Sequence, residues 1–327
     1  MIALPLAGAL GFVLVVLLVL LRLPVAIAMG CVGYVGLTFT AGPDTSGFML
    51  GRSTFEAVFP YSLSIVPLFI AMGVFAGHAG LSQSLYGFVA TLVGHFRGGL
   101  AMATIGGCAI FGAVSGSGIA TTATMGRVAL PEMRRHGYAD SLACATIAAG
   151  GTLGVIIPPS ILFVVYGLAT EQSIGKLFLS GVLPGILGMF LYGGAVAWSV
   201  RLKAGAGPAG PRHGWMERLR GLGAIWQIFL LFGLVLGGMY TGWFSPTEAA
   251  AVGAAGAVIL AEVSGRLTRK VIHDGVAETA LTTGMIFMIL IGAGIFNAFV
   301  ESTGMTDAVI GLVEEMEWSR RWASTCS

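Results

Sequence analysis

Two uncharged stretches constrain this chain more than any other feature. Gly98 to Gly126 runs for 29 residues and contains eight glycines and a dense set of serines and threonines, while Ser141 to Thr170 is about as long and carries Pro158-Pro159 in its middle. A lipid-facing helix needs about 20 large apolar residues to cross the hydrocarbon core, so the first run is too long and too polar at its centre. The second must break, because a proline pair removes two amide donors and clashes with the preceding turn. Broken backbone is tolerated at membrane depth only where protein or a watery cavity receives the freed polar groups. The two runs therefore point to an internal, polar-lined position inside a membrane protein.

Composition supports the bilayer as solvent. Hydrophobic residues make up 56% of the 327 and charged residues 10%, against about 25% charged in soluble domains, and the mean hydropathy is +0.90. Candidate spans are 3–21, 24–41, 57–77, 84–96, 98–126, 139–170, 177–200, 223–241, 246–262 and 277–300. Met1 to Leu21 lacks a basic leader and is followed at once by more apolar sequence, so it reads as the first membrane helix and not as a signal peptide. The net charge of +2 excludes a nucleic-acid partner as the reading of choice.

Charge placement suggests topology. Arg201 to Arg220 holds five basic residues against one acidic, and Gly265 to Lys270 holds three more, so both segments are expected on the cytoplasmic side. Two spans between them return the chain to that side. The basic segment, with its AGAGPAGPRHG, divides the chain into residues 1–200, a linker over 201–222, and residues 223–327.

The polar centre of the first run reads FGAVSGSGIATTATMGR. A helical hairpin turning at Ser115-Gly116-Ser117-Gly118 would expose carbonyls and a helix N-terminus beside those of the Pro158-Pro159 break. Ser115, Ser117, Thr121 and Thr122 add hydroxyl oxygens, a donor set that suits a hard cation such as sodium, and the helix N-terminus favours a carboxylate. Small residues at helical spacing also mediate close helix packing, and that reading is preferred for Gly106, Gly107 and Gly112 alone.

Other residues carry less. Glu132, Arg134, Arg135 and Asp140 read as solvated charges, and His78, His95, His136, His213 and His273 are too scattered to be a metal set. Glu248, just after Ser245-Pro246-Thr247, suits a helix cap or a salt bridge better than proton coupling. Asn297 lies in an apolar run and needs a partner, and Arg127 is expected in an interfacial or structural role. Cys31, Cys108, Cys144 and Cys326 have no ligand spacing and are expected to be free and buried. No phosphate-binding glycine loop or redox cluster occurs, so the chain is read as a non-enzyme without a cofactor.

Phe111 to Gly167 and GMYTGWFSPTEAAAVGA, Gly238 to Ala254, resemble the large membrane subunit of tripartite ATP-independent periplasmic (TRAP) transporters, the DctM-like permeases. The resemblance implies an all-α integral membrane protein with elevator-type architecture: inverted repeats, re-entrant hairpins and discontinuous helices. It places substrate contacts at Ser115, Gly116, Ser117, Thr121, Pro158, Pro159, Ser160 and Asn297, and sodium contacts at Ser115, Gly118, Gly151 and Thr152. The implied partners are a small four-helix membrane subunit, a periplasmic substrate-binding protein, a carboxylate substrate, and sodium as the coupling ion. Location in the bacterial inner membrane follows. The alternative is an anion transporter of related architecture that works without a binding protein.

Leu281 to Met305 resembles a second hairpin, with Asn297 and Thr303 in or near it. A further broken helix with a Thr-Pro-Pro-type break is expected after it, where this sequence instead ends in EEMEWSRRWASTCS. A truncated or frameshifted, inactive subunit is therefore a further expectation.

Overall fold

The computed structural model describes residues 3–203, 205–212 and 214–315, and every regular element among them is helical. Cys326, His213 and the polar end after Glu315 lie outside the described residues.

The chain forms two compact units, one made of residues 1–63 and 282–327 and the other of residues 64–281. In the first, α1 (Ala3–Leu20), α2 (Val25–Ala41) and α3 (Pro43–Val58) join the second part of α15 (Arg269–Ser302) and α16 (Met305–Glu315). Glycine allows the close approach here. A β-carbon on Gly33 of α2 would stand 2.7 Å from the backbone of Phe296, and the Gly36 and Gly11 positions face the ring of Phe299. Thr40 and Ser302 hydroxyls meet at 2.9 Å at the far end of this packing.

α3 is a helix that the list of apolar spans omits. Its buried positions are Ser46, Ser53 and Ala57, whereas Phe48, Leu50, Phe55 and Val58 are exposed. Apolar side chains turned outward suit a helix bordered by lipid, and the polar inward face finds partners: the Ser46 hydroxyl accepts from Thr38 and donates to the Pro43 carbonyl.

The second unit holds α4 (Ile65–His78), α5 (Leu81–Val93), α6 (Gly99–Ser115), α7 (Gly118–Arg135), α8 (Asp140–Ile156), α9 (Ile161–Ala169) and α10 (Ile174–Leu202). It continues through α11 (Trp215–Ala224), α12 (Trp226–Phe232), α13 (Gly238–Tyr240) and α14 (Pro246–Val263) into the start of α15. A π-helical turn, Gly233–Gly237, separates α12 from α13.

Among the described residues, four helical segments are long and apolar enough to cross a membrane: Tyr61–His78, α10, α14 and α15. Two bent pairs, α8 with α9 at 42° and Trp215–Gly223 with Trp226–Tyr240 at 46°, raise the number to six if each counts as one span. Along α10 the leucines at 179, 183, 187 and 191 are exposed, as a lipid-facing helix requires.

Three sequence expectations change. Residues 215–222 of the expected linker are helical, because α11 packs on α5 with Gly221 against the ring of Phe88. α15 runs without a break through residues 281–302, so the chain turns only at Thr303-Gly304, the end of the stretch read as a second hairpin. Of the cysteines, Cys108 is buried, but Cys31 and Cys144 are exposed, because membrane helices turn apolar residues toward lipid as readily as toward protein.

Candidate functional site

The site is built from the joint between α6 and α7. Helix α6 ends at Gly116, whose φ of +62° is the left-handed conformation in which its amide donates to the Gly112 carbonyl at 2.7 Å. Ser117 then adopts an extended conformation as the N-cap of α7, and its hydroxyl accepts from the Ala120 amide at 3.3 Å. A glycine terminator followed by a serine cap is a complete helix-to-helix turn in two residues. The hairpin anticipated at Ser115 to Gly118 is therefore present.

Two buried hydroxyls lock the turn from inside. Ser115 and Thr121, with 3% and 0% of their surfaces exposed, lie 2.8 Å apart and satisfy one another. Thr122, one residue on, donates to the Gly118 carbonyl at 2.8 Å. On the outer side Gly73 of α4 meets the tip: a β-carbon there would stand 2.6 Å from the Ser115 Cα. Nothing in the spacing of Gly73 marks it as a support for this site.

The second component is the break between α8 and α9. In a continuous helix the amides of residues 158 and 159 would donate to the carbonyls of Gly154 and Val155; prolines at both positions supply no such donor. Ser160, fully buried, donates its hydroxyl to Val155 O, while Gly154 O loses its intrahelical donor. The freed segment closes on the hairpin tip. The Ile161 amide donates to Gly116 O at 3.2 Å, and a β-carbon on Gly116 would lie 2.8 Å from Pro159 O.

Glycines bring the neighbouring backbones together. Gly112 of α6 and Gly154 of α8 are in van der Waals contact, Gly154 lies beside Ser117 O and the Thr121 hydroxyl, and Gly118 faces Gly151 O. The result is a cluster of carbonyl and hydroxyl oxygens with the N-termini of α7 and α9 beside it. Such oxygens suit a hard cation, and helix N-termini favour an anion. Between the tip and α12 there remains only a gap of about 10 Å³, lined by Met72, Val114, Pro159, Leu231, Phe232 and Val235. That is no more than the room for one water molecule, while Ser117 and Gly118 stay partly exposed and Ile119 is exposed.

The structure thus gathers Ser115, Gly116, Ser117, Gly118, Thr121, Gly151, Pro158, Pro159 and Ser160 within one unit. Thr152 differs: its hydroxyl bonds to Ala149 O at 2.7 Å and meets the Tyr192 hydroxyl at 3.1 Å, so it faces α10. Asn297 belongs to the other compact unit, where its side-chain amide donates to Glu301 at 2.9 Å. Arg127 is exposed and lines a separate cleft of about 490 Å³ with Gln83, Glu132 and His136.

Among the remaining charged residues, Arg134 and Asp140 form an exposed pair at 2.7 Å. Glu248 completes a capping box with Ser245, its carboxylate accepting from the Ser245 amide at 2.7 Å. Among the described residues there is no group of three or more His, Cys, Asp or Glu side chains able to hold a metal ion. Any cation here would rest on neutral oxygens.

Comparison with known proteins agrees with this architecture. The chain is 34% identical over 91% of its length to the isethionate TRAP transporter permease protein DctMQ of Oleidesulfovibrio alaskensis, covering 47% of that protein. It is 38% identical over 76% of its length to the C4-dicarboxylate TRAP transporter large permease protein DctM of Vibrio cholerae, covering 54%. With the protein of that description from Pseudomonas aeruginosa the identity is 36%, over 82% of this chain and 62% of the relative. The chain therefore spans about half to three fifths of the length of these relatives. Residues 12–323 match the family described as the tripartite ATP-independent periplasmic transporter, DctM component. With its hairpin, its broken helix and its lipid-facing helices, this chain belongs to the DctM family of TRAP transporter large permeases, multi-pass proteins of the bacterial inner membrane.

Proposed function

We propose that the chain, acting with a small four-helix membrane subunit, serves sodium-coupled secondary uptake of small organic carboxylates delivered by a periplasmic binding protein. The observation that carries this reading is the meeting of two interrupted backbones, the α6–α7 tip and the Pro158-Pro159 break, joined by the Ile161 to Gly116 hydrogen bond. A sodium ion held by carbonyl and hydroxyl oxygens at this meeting point would organise it. The N-termini of α7 and α9 would then face a more favourable setting for a carboxylate, and the two ligands would strengthen each other's binding. Two of the relatives are named for C4-dicarboxylates, which supports the substrate class.

The residues divide the work in this reading. Ser115, Gly118 and Gly151 contribute cation-facing oxygens, and Thr152 contributes its backbone, since its hydroxyl is turned to Tyr192. Gly116, Ser117, Thr121, Pro158, Pro159 and Ser160 shape the anion side.

The test is uptake of radiolabelled succinate into proteoliposomes that hold this chain with its two partner proteins. Sodium-dependent accumulation is expected, falling to background when choline replaces sodium. Uptake that is indifferent to sodium, or absent with all partners present, overturns the reading. Equal uptake without the binding protein would favour the binding-protein-independent transporter.

A further inference from the structure

Residues 201–222 mark a boundary in the sequence, yet the glycine- and proline-rich stretch at 206–210 lies across the open end of the hairpin. Helices α6 and α8 begin there, and neither has a side-chain cap: their N-cap positions are Gly98 and Ala139. Helix N-termini leave amides without intrahelical partners. The stretch supplies acceptors to both. Gly98 N donates to Gly207 O at 2.9 Å, and Ala139 N donates to Ala206 O at 3.0 Å.

Tyr138 completes the arrangement. Its phenol accepts from the Leu100 amide at 3.1 Å and donates to Pro208 O at 2.9 Å. Burial raises the phenol's pKa above its ordinary value, so Tyr138 remains a donor throughout the physiological range. Gly210 N donates to Gly94 O at 2.9 Å, which ties the same stretch to the end of α5. The fit leaves little slack: a β-carbon on Gly207 would lie 3.1 Å from Gly98 Cα, Tyr138 Cε1 and Val200 Cγ2 alike.

The two ends of the hairpin are thus held differently. Between the tip and α9 one backbone bond of 3.2 Å joins Gly116 to Ile161, the Ser115–Thr121 hydroxyl pair lying within the hairpin itself, whereas the base is held to its surroundings by bonds from Gly98, Leu100, Ala139 and Tyr138. We propose that residues 206–210 act as a clamp that caps α6 and α8 in trans and fixes the base of the hairpin, so that opening takes place at the tip. Its bearing on transport rests on the reading of the tip as the binding position; the clamp itself is tested without transport.

The experiment is amide hydrogen exchange on the full chain in lipid nanodiscs, comparing the unchanged protein with Tyr138→Phe and Gly207→Val. Exchange in peptides covering 98–102 and 139–143 is expected to accelerate by about tenfold or more in Gly207→Val and by a smaller factor in Tyr138→Phe. Peptides from α4 and α14 should stay within twofold, which separates local release from general unfolding. A second measurement places spin labels at Phe96→Cys and Arg135→Cys, both exposed positions at the base, in a background without the native cysteines. A single narrow distance distribution is expected with the clamp intact and a broad one with Gly207→Val. Unchanged exchange at both helix starts, or a broad distribution with the clamp intact, overturns the proposal. Absence of succinate uptake together with the expected exchange pattern would reject the transport reading and leave the clamp standing.

Discussion

At the scale of single residues, the hairpin tip depends on one backbone conformation and one hydroxyl pair. Gly116→Ala places a β-carbon on a left-handed residue and against Pro159 O. The conformational part alone costs about 1–2 kcal/mol, so a lower melting temperature of the purified protein is expected, measured by thermal unfolding in detergent. Ser115 and Thr121 form a closed pair. Removing the Ser115 hydroxyl leaves the buried Thr121 hydroxyl unsatisfied, at a cost of about 1–3 kcal/mol, whereas Ser115 without Thr121 still reaches the Ser117 and Gly112 carbonyls at 3.4 and 3.5 Å; replacing both by apolar groups of similar shape is far cheaper than the first change. In a double-mutant cycle, Ser115→Ala with Thr121→Val is therefore expected to destabilise by less than the sum of the single changes; additivity would show that the pair is not formed. The oxygens and the turn signal were legible in SGSG. That Thr121 closes onto Ser115 while Thr152 turns to Tyr192 was not, because the direction of a hydroxyl is chosen by the neighbouring helix.

At the scale of elements, the crossing of α6 and α8 requires glycine at its closest point. Gly154→Val would drive carbon into the Thr121 hydroxyl, Gly112 Cα and Ser117 O. Overpacking of this kind costs typically about 1–3 kcal/mol. By contrast Leu187→Ala, on an exposed face of α10, should change stability by about 0.5 kcal/mol or less, and the two variants can be compared by the same thermal assay. At the start of α14, Ser245→Ala removes the hydroxyl half of the capping box, with an expected loss of about 1 kcal/mol and faster amide exchange at Glu248. The bend between α8 and α9 was readable from Pro158-Pro159 because missing donors are a property of the residues themselves. α3 and α11 were not, since each mixes polar, charged and apolar residues and holds no long uninterrupted apolar run. The uninterrupted α15 shows the same limit: the stretch that resembles a second hairpin is helical, and two of its glycines serve close approach, Gly292 against the Ala26 backbone and Gly294 against Ser53.

At the scale of the whole molecule, the positive segments set orientation. Single cysteines introduced at Lys203 and at Lys270, in a background without the native cysteines, are expected to react with a membrane-impermeant maleimide from the cytoplasmic face only. Labelling of either from the periplasmic face would reverse the topology derived from the 201–220 and 265–270 segments. Compactness follows a different line from sequence order: the first 63 residues group with those after 281, and the interval between them forms the unit that carries the hairpin and the break. Basic linkers mark where charge must leave the bilayer, and they carry no information about which helices share a core.

The sequence alone determined that the chain lies in a membrane, that its helices are interrupted at two places, and which residues stand at those interruptions. Hydropathy, proline's missing amide and glycine's access to positive φ act locally and can be read residue by residue. Only the tertiary structure decided that the tip meets the break through Gly116 and Ile161, and that 206–210 caps two helices at the hairpin base. These contacts join backbone groups whose hydrogen-bonding capacity is common to nearly every residue, so their pairing is selected by the packing of the whole fold.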